Sequence, residues 1–249
     1  MSTVLVTGGT GKLGRAVVER LEDRERETRV LSRKPGAGRA VGDLRTGAGL
    51  EDAVEGVNVV VHCATTYGRD DVVAARRLVD AIIRTGGAPH LVNISIVGVD
   101  RIPLPYYRAK LAAEEVISGS GLPWTNLRTT QFHDLLATIF DVQRWLPVTL
   151  APNGFRFQPV DIGTVADCLA GLAVHPPVGR APDLGGPRIH SIRELAEIHH
   201  SVVRRRRPIL SPRLPGKAVR AYAEGWNLVP DNARGTVTFE EFLRERVSR

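Results

Sequence analysis

Cysteine, methionine and aromatic side chains are what this sequence has least of: two Cys, one Met and 5% Phe, Trp and Tyr in 249 residues. Cys63 and Cys168 stand in apolar surroundings with no C-x-x-C partner, which excludes a disulfide framework and any cysteine-based zinc site, so no metal is expected. No apolar run approaches the ~18 residues that would cross a bilayer, and Val4-Leu5-Val6 is too short for a signal-peptide core. The expectation is a soluble, unprocessed, cytoplasmic protein with no membrane partner. No internal repeat or low-complexity linker divides the chain, whose length and apolar content of 43% suit one α/β domain with a small appendage.

Acidic residues are outnumbered, with a net charge of +7, and the location of the surplus decides what it means. From Arg188 to Arg249 there are 13 basic and 7 acidic residues, so almost the whole excess belongs to the tail. Its densest run, Arg204-Arg205-Arg206-Arg207, closes a helical pattern, where cations complement the helix dipole and water solvates them. No recognition-helix or stacking-aromatic pattern accompanies it, so no nucleic-acid partner is expected.

What the chain does have is Val4-Leu5-Val6-Thr7-Gly8-Gly9-Thr10-Gly11-Lys12-Leu13-Gly14: a β-branched run, a glycine-studded turn and the start of a helical pattern. This context reads as a dinucleotide site. Gly8 lets the chain turn off the strand, Gly11 keeps bulk away from a pyrophosphate, and Gly14 lets the helix pack against the sheet. The helix N-terminus then offers N–H groups and a positive dipole end to phosphates, with Thr10, Lys12 and Leu13 beside them. The spacing T-G-x-x-G-x-x-G resembles the short-chain dehydrogenase/reductase superfamily.

Thr28 to Leu31 reads as a second strand, followed by Ser32-Arg33-Lys34. Rossmann proteins that bind NAD carry an acid about 20 residues past the glycines. None stands here; Arg33 lies 19 residues after Gly14, and a hydroxyl with two cations suits a 2′-phosphate, so NADP (NADPH) is the expected cofactor. After a short strand at Arg39 to Val41, the pair Asp43-Leu44 resembles the superfamily's adenine contact; locally, Asp43 reads equally well as the cap of a helix ending near Val54.

Val57 to Ala64 is a continuous apolar run, as in a parallel strand buried on both faces. Its end, His62-Cys63-Ala64-Thr65, resembles the H-x-A segment of extended and atypical members, where Cys63, Ala64 and Thr65 would make room for the nicotinamide ribose. No carboxylate orients His62 in sequence, so it reads as structural. Asp70 to Thr85 is an amphipathic helix closed by Gly86-Gly87, and His90 to Ser95 is the next strand. Alternating strands and helices predict right-handed βαβ crossovers and a doubly wound parallel sheet, the Rossmann architecture, with ligands beyond the carboxyl ends of its strands. Ser95 sits at such an end.

Pro103 and Pro105 lead into Tyr106-Tyr107-Arg108-Ala109-Lys110, where Tyr106 and Lys110 share one helix face. Y-x-x-x-K is the superfamily's catalytic pair: a phenol is a poor acid–base group at neutral pH until a nearby ammonium favours its anion. The resemblance thus assigns Tyr106, Lys110 and Ser95 to catalysis. Three departures accompany it. Ser95 precedes Tyr106 by only 11 residues; Tyr107 offers a second phenol, Tyr106 being favoured by register; and the helix from Asp70 to Thr85 lacks the Asn that members often supply there.

Gly121 to Phe132, with a sixth strand at Trp124 to Arg128, resembles the atypical, NmrA-like branch, and the likeness covers roughly Thr3 to Phe132. Gln131, Phe132 and His133 would follow near the substrate, His133 in a packing or solvent role or, as the alternative, as an acid–base group. Beyond Pro147 the alternation breaks. Val148 to Leu150 and Phe155 to Val160 read as a hairpin around Asn153-Gly154, Asp161 to His175 as a helix, and Ala181 to Leu184 as a last strand. Ser191-x-x-Glu194 and Thr238-x-x-Glu241 read as capping boxes. Residues 1–147, with 161–184, are thus expected to form the NAD(P)-binding Rossmann domain, and 148–160 with 185–249 a small substrate-capping lobe. The resemblance implies an NADPH-dependent reductase of a small carbonyl or enone, acting as a monomer or homodimer. A nicotinamide-dependent isomerase would share these residues, and a non-catalytic NAD(P) sensor would need only the cofactor site.

Overall fold

The β-branched and aliphatic run at Thr3–Thr7 has no polar alternation because both of its faces are covered, and it forms β1 with every residue buried. The computed structural model describes residues 2–66, 68 and 70–248. They divide into two compact units: Met1–Ser95, Leu104–Arg128 and Val165–Pro182 in the first, Ile96–Pro103, Thr129–Thr164 and Asp183–Arg249 in the second.

The first unit is built from β1, α1 (Lys12–Glu22), β2 (Glu27–Ser32), β3 (Arg39–Val41), α2 (Leu50–Val54), β4 (Val59–His62), α3 (Asp70–Arg84), β5 (His90–Ile96), α4 (Pro105–Ser118), β6 (Trp124–Thr129), α6 (Ile162–Val174) and β9 (Gly179–Arg180). Its seven strands form one sheet in the order β3-β2-β1-β4-β5-β6-β9. The expected doubly wound parallel sheet is present: β1 runs parallel to β2 and β4, β2 to β3, β4 to β5, and β6 to β9. The strand order reverses at β1, so the crevice for a ligand lies beyond the carboxyl ends of β1 and β4.

One face of the sheet carries Leu5, Val60 and Leu91, packed with Leu50, Leu78, Ile82 and Ile117 of α2, α3 and α4 into one apolar cluster. Each such side chain contributes about 1.5–3 kcal/mol on burial. Elsewhere α1 reaches α6 through Arg20 Nε and Asp167 Oδ1 at 3.3 Å. The last strand is at Gly179–Arg180 rather than 181–184; Leu184 joins only through a single parallel bridge to Thr129.

The second unit holds α5 (His133–Asp141), β7 (Thr149–Leu150), β8 (Arg156–Phe157), β10 (His190–Ser191), α7 (Ile192–Val202), β11 (Ile209–Leu210), α8 (Lys217–Ala223) and α9 (Phe239–Ser248). The expected hairpin is absent. β7 pairs in parallel with β11, and β8 antiparallel with β10, because chain segments more than 30 residues away supply better partners than the Asn153-Gly154 turn does. Both capping boxes form: the Ser191 hydroxyl accepts from Glu194 N–H at 3.2 Å, and Thr238 Oγ1 from Glu241 N–H at 3.3 Å. The arginine run is not merely solvated. Arg204 takes a left-handed turn at φ 54°, and Arg207 Nη1 donates to the carbonyls of Gln143, Arg144 and Leu146, which end the segment after α5. Among the described residues no helix is long and apolar enough to cross a membrane.

Candidate active site

The turn after β1 closes on itself, with Gly11 N–H donating to Gly8 O at 2.9 Å. Gly8 has φ 68°, and a Cβ there would stand 2.7 Å from Ala64 N, while a Cβ on Gly14 would collide with the Gly8 carbonyl. No side chain caps the N-terminus of α1 at Gly11, and its first turn holds no acid. Its leading N–H groups and positive dipole end thus face an exposed turn formed by Thr10, Gly11 and Lys12, a setting that fits an anionic ligand. Arg15 donates to Thr10 O from Nε and Nη2 at 3.1 and 3.0 Å, which fixes the loop from its helix side.

At the end of β2 the Ser32 hydroxyl, half-buried, accepts from Lys34 N–H at 3.1 Å, and the side chains of Arg33 and Lys34 are exposed. Asp43 is not the cap of α2, whose N-cap is Gly49. Instead its Oδ1 accepts from Arg45 N–H at 2.8 Å and its carbonyl from Gly47 N–H at 2.8 Å, a local turn that leaves Asp43 and Leu44 half-buried.

Where β4 ends, His62 Nδ1 lies 2.7 Å from Thr7 Oγ1, and the same hydroxyl accepts from Ala64 N–H at 3.3 Å. Burial, reinforced by the Lys110 charge, lowers the pKa of His62 to about 4, so the imidazole is neutral at physiological pH and serves to join strand ends. Cys63 is half-buried, and burial raises its thiol to about 12, which keeps it protonated and unreactive. No group of His, Cys, Asp and Glu among the described residues is arranged to hold a metal ion.

Tyr106 and Lys110 occupy the first two turns of α4, which Pro105 opens at N1. Tyr106 is half-buried, with its hydroxyl 3.1 Å from Thr65 Oγ1; Tyr107 turns inward, 5% exposed, its ring edge-on to Tyr106 at 6.3 Å. Lys110 is buried, and desolvation lowers its pKa against the opposing pull of Asp71, Cys63 and Glu114. The Ser95 hydroxyl, at the end of β5, is buried with no hydrogen-bond partner among the described residues. His133 belongs to the second unit: it is 1% exposed, bonded from Nε2 to Val237 O at 3.0 Å and stacked on Phe242. Gln131 is likewise buried, its Oε1 3.4 Å from Asn227 Nδ2.

One residue of the site escaped the sequence reading. Asp71, 3% exposed on the first turn of α3, accepts from Thr65 Oγ1 at 2.7 Å and from Thr66 N and Oγ1 at 2.6 and 2.8 Å, and lies 3.9 Å from Lys110 Nζ. The signal was there: Asp71 is in register with Ala74, Ala75 and Leu78 on the buried stripe, a position where an acid needs a partner.

The chain matches a family described as NAD(P)H-binding over residues 8–144. A (4-alkanoyl-5-oxo-2,5-dihydrofuran-3-yl)methyl phosphate reductase of Streptomyces griseus is 30% identical over 213 residues, covering 77% of this chain and 70% of that protein. In fold the chain is similar to an NADPH-dependent quinone oxidoreductase of Escherichia coli crystallised with NADPH, with a TM-score of 0.84, 16% identity and coverage of 98% and 99% of the two chains. It is similar too to a nucleoside-diphosphate-sugar epimerase of Staphylococcus aureus, with a TM-score of 0.82, 18% identity and coverage of 98% and 100%.

Proposed function

This chain belongs to the NAD(P)H-binding family, and from that premise we propose that it is an NADPH-dependent reductase of a small carbonyl or enone substrate. The observation that carries the reading is the Tyr106–Lys110 pair on α4, with the Tyr106 hydroxyl 3.1 Å from Thr65 just past the end of β4. The Streptomyces relative, named as the reductase of an alkanoyl-oxo-dihydrofuran phosphate, supports a carbonyl-bearing substrate.

The N–H groups of α1 at Lys12, Leu13 and Gly14 would hold the pyrophosphate, with Gly8, Thr10 and Gly11 keeping the approach open. Arg33 and Lys34, with the Ser32 hydroxyl, would hold the 2′-phosphate, Asp43 and Leu44 the adenine, and Cys63, Ala64, Thr65 and Lys110 the nicotinamide ribose. NADPH supplies a hydride when bound there. Tyr106 donates the proton to the substrate oxygen, Lys110 favours the resulting phenolate, and the Ser95 hydroxyl polarises the same oxygen. Turnover of a carbonyl and enone panel with NADPH tests this reading. NADPH binding without turnover on any member, together with a protein that binds the NADPH and NADP⁺ forms unequally, would favour a sensor instead.

A further inference from the structure

The carboxylate of Asp71 joins the two halves of the pair just described. As a carboxylate it accepts only, so the Thr65 hydroxyl 2.7 Å from Oδ2 spends its single proton on Asp71. Thr65 Oγ1 then presents a lone pair to the Tyr106 hydroxyl, 3.1 Å away, a contact that fixes the position of the phenol oxygen and leaves its proton to turn to the substrate oxygen when substrate binds. The same Oδ2 faces Lys110 Nζ at 3.9 Å, while Oδ1 is anchored by Thr66 through N–H and hydroxyl. These four contacts account for a buried acid on the α3 stripe.

We propose that Asp71 is the positioning residue of the Tyr106–Lys110 pair, orienting the phenol through Thr65 and holding the ammonium directly. The inference rests on the roles read above for Tyr106 and Lys110. Other groups face Lys110 as well. From its own helix comes Glu114, whose two oxygens are bound by Arg128 Nε and Nη2 at 2.8 and 2.6 Å; from the end of β4 come the protonated thiol of Cys63 and the neutral ring of His62. Burial drives Lys110 toward its neutral form, and Asp71 contributes the largest opposing charge. A neutral amine would lose its attraction for the phenolate and one donor toward ribose hydroxyls.

The test begins with Asp71→Asn, which keeps shape and removes charge. Lysine labelled with ¹³C at Cε is followed by NMR against pH, with the Lys110 resonance identified by its loss in Lys110→Arg. The Lys110 midpoint should fall by about one pH unit or more, and NADPH affinity, read by fluorescence, should weaken about tenfold more between pH 6 and pH 9 than in the parent. An unchanged Lys110 midpoint in folded Asp71→Asn overturns the proposal. If that variant does not fold, Thr65→Val decides: turnover should drop about tenfold, by more than NADPH affinity does, and Thr65→Ser should restore it. Parent-like turnover in Thr65→Val would reject the positioning of the phenol through Thr65. Turnover that survives Tyr106→Phe defeats the proton-donor role read for Tyr106, while the Lys110 titration still decides the role of Asp71.

Discussion

Thr7 Oγ1, at the end of β1, lies 2.7 Å from His62 Nδ1, at the end of β4. The two strands flank the point where the sheet order reverses, so this hydrogen bond ties their carboxyl ends together at the crevice. Its histidine is held neutral by burial, which has a consequence for acid stability.

The pKa of His62 is near 6.5 in an unfolded chain and about 4 in the fold. A depressed folded value means that the unfolded state binds the proton more readily. The contribution is therefore fully present above pH 6.5 and is lost as pH falls toward 4, amounting to ~3 kcal/mol. His90, His133, His190, His199 and His200 are lowered by burial too and add to the same trend. Urea unfolding at pH 7 and pH 4.5 should show a smaller acid loss in His62→Asn than in the parent. An identical loss in both would remove His62 from the account.

Arg33 is exposed beside the half-buried Ser32, free of any acid in the turn, and a bidentate guanidinium discriminates for a 2′-phosphate. Thermal stabilisation at matched concentrations should be greater with NADPH than with NADH, and Arg33→Ala should cut that difference by about 1.5–3 kcal/mol of binding. Equal stabilisation of the parent by both cofactors would defeat the assignment.

Tyr106 and Tyr107 are neighbours with opposite surroundings, one half-buried against Thr65, the other in the interior. Tyr106→Phe should bind NADPH almost as the parent does yet lose about 10²- to 10⁴-fold in turnover. Lys110→Ala should weaken both binding and turnover. Tyr107→Phe is the control, and loss of activity there with Tyr106→Phe intact would shift the assignment by one residue.

Arg207 holds three carbonyls at the close of the segment after α5, whereas Arg206 is exposed. Arg207→Ala should destabilise the protein by about 1–3 kcal/mol, measured by denaturant unfolding, and Arg206→Ala by less than ~0.5 kcal/mol. Neither should reveal salt-sensitive, sequence-selective DNA binding; tight retention near physiological salt would contradict this use of the run.

The sequence alone determined the alternating strands and helices from Thr3 to Arg128, because buried parallel strands are continuous apolar runs and amphipathic helices repeat at the spacing of Ala74, Leu78 and Ile82. It determined the glycine turn as well, since only residues without Cβ fit between Gly8, Ala64 and the start of α1. These signals are local, written in neighbours along the chain. Tertiary structure decided what local signals do not encode. The partners of β7 and β8 were chosen by strands far along the chain, against a strong Asn-Gly turn signal. Arg207 found carbonyls more than 60 residues away. Asp71 and Lys110 stand 39 positions apart in sequence, and only the packing of α3 on α4 brings the carboxylate within 3.9 Å of the ammonium, where low polarity makes each charge depend on the other.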